Sequence, residues 1–489
     1  MATIINNYVE KFKSEIEKYL NGEERPSLER AEGRLLEMAC RFSAELLGAF
    51  YEQKDREILE NRALRKEKGL TVERRNDSRE MVTKLGILHF DRTYYKCRDG
   101  GYSYPVDEYA GIDAYRRVSG GTCLALVESA AQQSYARASR DVTDGRVSAQ
   151  TVMNLIRRAK TPETEPMQTL RKVPCLHIDA DEDHVKIARG KKRSACVPLV
   201  TVYEGMERHG KRGVCINSFS ISEYGRTPDE FWEHVASEVA ARYDLEGTRV
   251  YIHSDAGRWI RTAEEWFPGA VFVLDQYHKN KYIKQSTAGF PAEEGERFQT
   301  RIRETLEKGA KENLLQIQAE MCEAHPDRVE NITEKTGYLY SNFEAIDIRR
   351  TDEEANNGGC TEPHVSHVLS SRLSTRPMAW SRKTLEHFAP ILASGRFVLE
   401  DTPVNATELT DAQQNAEHKT KKKGKHKKPK NILGFRSGHC KVDRIPNKER
   451  SHRITRIHRC DKPLRQTSHH VGIVRRPRQL GHERHTNGT

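Results

Sequence analysis

The chain has 489 residues and a formal net charge of +11, a length that accommodates two to four domains at about 150 residues each. No apolar run reaches the ~20 residues of a membrane helix, and the charged start MATIINNYVEKFKSEIEKYL carries no leader pattern, so the chain reads as soluble and unprocessed. Its 10 Cys show neither C-x-x-C nor a pairing rhythm, which excludes the usual zinc and disulfide frameworks and leaves reduced cytosolic thiols.

The charge is uneven. Residues 419–489 hold 22 Lys and Arg against four acids, a net +18, which leaves residues 1–418 at −7. The basic character therefore belongs to the tail, and the body has to be read on its motifs.

Residues 1–80 read as a helical region, because Leu28, Leu35, Met38, Phe42, Leu46 and Phe50 recur at three- and four-residue steps behind Pro26-Ser27. Residues 81–160 read as a DNA-binding unit. VTKLGILHFDRTYYKCRDGGYSYPVDEY alternates apolar and polar positions and breaks at Asp99-Gly100-Gly101, a hairpin signal. Residues 134–159 then give two short helices meeting at Asp144-Gly145, a helix-turn-helix pattern that a plain helical hairpin shares. As a groove reader, the second helix presents Gln150, Thr151 and Asn154 on its first turns, with Arg157 and Arg158 at its end.

Pro162, Pro166 and Pro174 mark a linker. Beyond it, residues 170–400 run strand, strand, strand, helix, strand, helix, strand, which is the ribonuclease H-like order, so the fold class expected is α/β. Residues 279–350 are charged and helical without a clear strand, an insertion before the last motif. Residues 401–489 lose all periodicity, and HKTKKKGKHKKPK cannot bury a core, so a disordered basic tail is expected.

Three acids stand out: Asp181 in CLHIDADEDHVKI, Asp255 in RVYIHSDAG and Glu362 in GCTEPHVSHVLSSR. Divalent Mg²⁺ is held by a few carboxylates with substrate phosphates, which suits carboxylates gathered from distant elements. Asp179, Asp181 and Asp183 alternate along one strand and share one face. An EF-hand loop would need Gly and Glu where His184 and Gly190 stand, and a solvated acidic edge strand is the plain alternative. Asp255 ends an apolar strand, where a helix N-cap is an equal reading. Asp275 and His278 form an Asp-x-x-His step at the end of the next strand.

These stretches, DEDHVKI with Asp181 leading it, SDAGRWIRTAEEWFPGAVFVLDQYHKNKYI and TEPHVSHVLSSRLSTRPMAWS, together resemble the DDE transposases of bacterial insertion sequences, in particular the ISLre group related to Mutator-like elements. The resemblance runs over residues 30–395. It implies a ribonuclease H-like core in which Asp181, Asp255 and Glu362 hold two Mg²⁺ or Mn²⁺ ions, with Asp275 and His278 in support. The implied activity is DNA cleavage and strand transfer. The implied partners are DNA, at element ends and at the target, and further copies of the chain; no membrane is involved, and the place is the cytoplasm at the nucleoid. A decayed transposase that only binds DNA, or a stand-alone nuclease of the same fold, is the alternative.

The tail gives a first testable outcome. Eight Lys lie between Lys419 and Lys430, and phosphate contacts by such a segment release counterions without reading sequence. Deleting residues 401–489 is expected to weaken binding to every DNA and to flatten the slope of log affinity against log salt, measured by fluorescence anisotropy. A preference for particular end sequences survives the deletion if it resides in residues 81–160.

Overall fold

The computed structural model describes residues 2–22, 27–210, 212–399 and 458–459; the tail expectation lies almost wholly outside them. The chain begins with helices α1 (Ala2–Leu20), α2 (Leu28–Glu60) and α3 (Arg62–Glu67). Helix α2 turns Met38, Ala44, Gly48 and Ala49 inward, and its inner face lies on an antiparallel hairpin of β1 (Thr71–Thr83) and β2 (Gly86–Lys96). The hairpin closes at Lys84-Leu85. Asp99-Gly100-Gly101 instead turns β2 into the short β3 (Tyr102–Ser103). Strand β1 also begins inside the stretch expected to be helical. The cause is visible in its composition: Thr71–Ser78 is polar but for Val72 and mostly exposed, so no apolar alternation announces it, and Asn76 at φ 58° breaks the register.

Next come α4 (Pro105–Ala110), α5 (Gly120–Gln132), α6 (Tyr135–Thr143) and α7 (Ala149–Ile156). Helices α6 and α7 meet where Asp144 and Gly145 both take positive φ, and Ser148 caps α7 by accepting the Thr151 N–H. This is the helical pair expected. Val152, Leu155 and Ile156 enter the core, while Gln150 and Asn154 stay exposed and bond one another at 3.1 Å.

After β4 (Ala159–Lys160) and β5 (Arg171–Lys172) come the main strands: β6 (Cys175–Lys186), β7 (Ser194–Tyr203), the small hairpin β8 (Met206–His209) and β9 (Arg212–Cys215), and β10 (Phe219–Ile221). The apolar run GVCINSFSISEY is thus two strands, not one, because Asn217 at φ 51° turns the chain between them. Helix α8 (Pro228–Ala240) starts with a capping box of Thr227 and Glu230. Then follow β11 (Tyr243–Asp244), β12 (Arg249–Ser254), the short α9 (Arg258–Arg261) and β13 (Val271–Leu274). The central sheet has the order β10-β7-β6-β12-β13. Strand β7 runs antiparallel to both of its neighbours, β10 and β6, and β6, β12 and β13 run parallel.

Residues 276–351 form the helical block expected, as α10 (Gln276–Ser286), α11 (Ala292–Glu307), α12 (Lys311–Ala324), α13 (Val329–Ser341) and α14 (Phe343–Thr351), closed around Phe298, Ile302, Met321, Ile332 and Leu339. The chain returns through α15 (Thr361–Val365), a π-helical turn at Ser366–Ser370, α16 (Ser371–Leu373), α17 (Arg382–Ser394) and β14 (Arg396–Leu399), which pairs with β4 and with His458–Arg459.

The sheet is covered on both faces. Leu176, Ile178 and Ala180 point into one core with Phe231, Trp232 and Val235 of α8. The opposite face of β6 carries the acids, and its far end packs under α7, α16 and α17. Since β6 is central and Asp179 and Asp183 are buried, the alternative of a solvated acidic edge does not hold.

One close approach is decisive for the N-terminal part. A Cβ on Gly48 would collide with the His89 carbonyl oxygen of β2. Alanine is favoured over glycine in a helix by about 1 kcal/mol, but a clash with backbone cannot be relieved by a rotamer, and overpacking costs about 1–3 kcal/mol. Gly48→Ala is therefore expected to destabilise the protein by ~1–2 kcal/mol in denaturant unfolding, although it improves helix propensity.

Candidate active site

The acidic face of β6 is built by its pleat. His177, Asp179, Asp181 and Asp183 follow at two-residue steps and so point the same way, and each meets a different environment.

Asp179 is sealed in the core. Its Oδ1 accepts the Tyr203 hydroxyl of β7 at 2.9 Å, and its Oδ2 accepts the Cys360 N–H at 2.8 Å. His364 Nδ1 of α15 lies 2.9 Å from the same Oδ2 as an ion pair. Burial alone would raise the carboxyl, but His364 and the neighbouring histidine and tyrosine outweigh it and hold the group below the usual range. His364 is raised for the converse reason, since the Asp179 charge outweighs its own burial. Asp183 accepts the Ser374 hydroxyl at 2.8 Å.

Asp181 faces a different neighbourhood. Strands β6 and β12 run parallel with Asp179 beside His253, so two residues further on Asp181 comes abreast of Asp255. Asp255 is not a helix N-cap, for Gly257 holds that place in α9; it accepts the Gly257 N–H at 2.8 Å in a tight turn that puts Ala256 at φ 62°. Its carbonyl accepts the Tyr338 hydroxyl of α13 at 2.5 Å. Burial pushes the Asp181 carboxyl up to about 7. The Asp255 charge adds to this, while the Glu182 N–H and His278 work against it.

His278 stands on the first turn of α10. Asp275 is the N-cap of that helix: its Oδ1 accepts the His278 N–H at 2.8 Å and its Oδ2 lies 2.7 Å from His278 Nδ1. Desolvation lowers His278, but Asp275 first, and then Asp255 and Asp181, raise it on balance. The Asp-x-x-His step is thus a helix cap that fixes the His278 imidazole near the two acids, whose charges raise its pKa.

Glu362 lies on the first turn of α15, exposed. The groups that dominate at Asp181 are Asp255, His278 and Glu182, and Glu362 is not among them. The structure brings Asp181, Asp255 and His278 together and seats the helix of Glu362 against β6 through Asp179. Among the groove-reading residues, Gln150 and Asn154 are exposed, Thr151 bonds Ser148 at 2.9 Å, and Arg157 is engaged internally, donating to Thr384 and Ser381 at 2.9 Å. Arg157 thus ties α7 to the start of α17.

Three residues central to the site escaped the sequence reading: His177, His253 and Tyr203. The only signal was their place on the same strands as the acids. His177 Nδ1 lies 3.0 Å from His253 Nε2, and burial pushes His253 down to about 3, so it is neutral. The Gly358-Gly359 backbone passes over this pair. A Cβ on Gly358 would strike His253 and come within 2.6 Å of His177 Nδ1, which is why the segment leading to Cys360 needs glycine there.

Fold and site together define a mixed α/β protein with two neighbouring carboxylates, one within β6 and one just past β12, where the parallel pairing of the two strands ends. The chain belongs to the Uncharacterised protein family (UPF0236), whose model matches residues 22–410. It is 34% identical over 364 residues to UPF0236 protein TTE2489 of Caldanaerobacter subterraneus subsp. tengcongensis, covering 73% of this chain and 76% of that one. It is 25% identical over 390 residues to the UPF0236 protein in vanSb 3'region of Streptococcus gallolyticus, covering 76% and 83%.

The raised Asp181 gives a pH signature. A carboxyl whose folded pKa exceeds its unfolded value near 3.9 favours the neutral form, so the fold loses stability as pH rises from ~4 to ~7. Asp181→Asn removes this slope. In cation-free buffer the variant is expected to match the wild type most closely below pH ~4 and to exceed it by ~1–3 kcal/mol at pH 8, read from urea midpoints.

Proposed function

We propose that this protein is a metal-dependent DNA transposase, cutting a phosphodiester at the end of a mobile element and joining the freed 3′-hydroxyl to target DNA. The observation that carries the reading is the pairing of Asp181 and Asp255 across parallel strands. Neither carboxylate forms an ion pair with Lys or Arg among the described residues, and mutual repulsion and burial disfavour two charges there unless a cation joins them. The strand order, three antiparallel strands followed by two parallel ones with a helical block before the last acid, is the one expected of a ribonuclease H-like core, and supports the same reading. So does a relative from C. subterraneus whose name joins eleven loci, TTE0033 through TTE2212, 34% identical over 364 residues. One protein spread over many loci of a genome is what a mobile element leaves behind.

The donor set is all oxygen, which suits Mg²⁺ or Mn²⁺. Asp181 and Asp255 would hold the ions, with Glu362 of α15 as the candidate third carboxylate. The bound ions supply a nucleophile at neutral pH and stabilise charge on the oxygens of an in-line displacement. The protein's own residues do the positioning. Asp275 fixes the His278 ring, which when protonated would add a positive charge beside the acids. Asp179 fixes α15, and the exposed Gln150–Asn154 face of α7 is the surface offered to element-end DNA.

Two measurements test this. Saturating Mn²⁺ at about 100 times its dissociation constant is expected to stabilise the wild type by ~2.7 kcal/mol, and to leave Asp181→Asn and Asp255→Asn unmoved. Cleavage of a duplex carrying the element end should fall at least ~10³-fold in either variant and in Glu362→Gln. Metal-induced stabilisation without cleavage of any end sequence would leave a DNA-binding protein in place of a transposase.

A further inference from the structure

Away from the paired acids, at the opposite end of β6, Cys175, His177 and Glu354 offer ligand atoms that all lie within 4.8 Å of one another. Cys175 and His177 are two residues apart on one strand and share a face. Glu354 comes from the short turn Glu354–Asn356 that leaves the helical block. Its Oε1 is 3.2 Å from Cys175 Sγ and 3.4 Å from His177 Nε2. In a tetrahedral zinc site, bonds of about 2.0 Å to N and O and about 2.3 Å to S set the edges between ligands at about 3.3 to 3.5 Å. The two distances to Glu354 Oε1 are already close to that spacing, and the Cys175–His177 edge lies within 4.8 Å.

We propose that Cys175, His177 and Glu354 bind one borderline divalent cation of the zinc class, whose task is to fasten the helical block to the sheet. Thiolate, imidazole and carboxylate together select zinc over magnesium. The outer contacts fit. His177 Nδ1 lies 3.0 Å from His253 Nε2, so with its proton on Nδ1 it donates there and leaves Nε2 to the cation, the outer support that metal-bound histidines need. That tautomer turns an N–H of His253 toward Arg349, whose Nη2 is 3.4 Å away; Arg349 keeps its bond to the Ala355 carbonyl at 3.1 Å and yields on that side. Access is provided by Glu354, whose side chain is 38% exposed while His177 is fully buried; a water completes the fourth position from that side. Four residues separate His177 from Asp181, about 13 Å along the strand, so this cation is distinct from any ion held by the paired acids. Its position bears on Asp179 instead, because Glu354 leads to Gly358, over the two histidines, and then to Cys360 and α15, which bond Asp179.

Cobalt(II) reports the site, since a thiolate ligand gives it an intense near-ultraviolet charge-transfer band that oxygen sites lack. Purified full-length protein stripped with chelator is expected to bind one tight equivalent of zinc, and cobalt in its place should show the band. Cys175→Ser should abolish the band. Cys196→Ser should keep it, which separates this site from the exposed group of Glu182, His184 and Cys196. Glu354→Gln, at a half-exposed position, should keep the far-ultraviolet circular dichroism and weaken zinc at least tenfold. It decides the matter if Cys175→Ser fails to fold. Absence of a tight equivalent, a band that survives Cys175→Ser or disappears in Cys196→Ser, or unchanged affinity in Glu354→Gln overturns the proposal.

Discussion

The architecture depends on one buried negative charge. Asp179 is buried, and an ionised carboxylate in that position is tolerated only when paired and hydrogen-bonded. Its partners come from three places: Tyr203 on the neighbouring strand, the backbone N–H of Cys360 and the imidazole of His364. Removing one partner leaves the others facing an uncompensated charge, a loss of about 3–5 kcal/mol for buried pairs in general. The sheet and the chain returning from the helical block are therefore fixed together or not at all.

The same strand shows how small differences in surroundings divide one residue type into different roles. Asp179 and Asp181 are separated by a single pleat, yet the first is held charged by His364 and the second is driven toward neutrality by burial and by Asp255. The first is a fixed structural anion. The second is in balance, with His278 opposing its neighbours, and a modest change in local charge moves it either way. Such opposed environments are where acid–base and metal chemistry is placed in proteins.

Much of this was legible in the sequence, and the limits have a physical cause. The alternation of Asp179, Asp181 and Asp183 gave the shared face, because strand periodicity is local. Asp144-Gly145 gave the helical turn, since positive φ restricts the residue types that serve there. The charged helical block could be read from its period. What could not be read depends on distance or on the absence of a pattern. Nothing near Asp179 in sequence announces Tyr203 or Cys360, so its role as the anchor was hidden behind Asp181. Thr71–Arg79 lacks an apolar face, and its pairing with β2 settles its form. Arg157 was read as part of a DNA-binding helix end, but Thr384 and Ser381, over 220 residues away, claim its guanidinium. Glu362 was found on a helix as expected; its outward position follows from the neighbouring His364 taking the inward one.

The contact between Asp179 and Cys360 spans 181 residues. During synthesis at roughly 5–20 residues per second, the first strand of the sheet emerges about ten to forty seconds before the segment that neutralises it. Throughout that interval the nascent chain can build the helical block by itself, but not the seat of α15. The buried carboxylate of Asp179 thus waits for its backbone partner until the segment around Cys360 has been made, long after β6 itself has emerged.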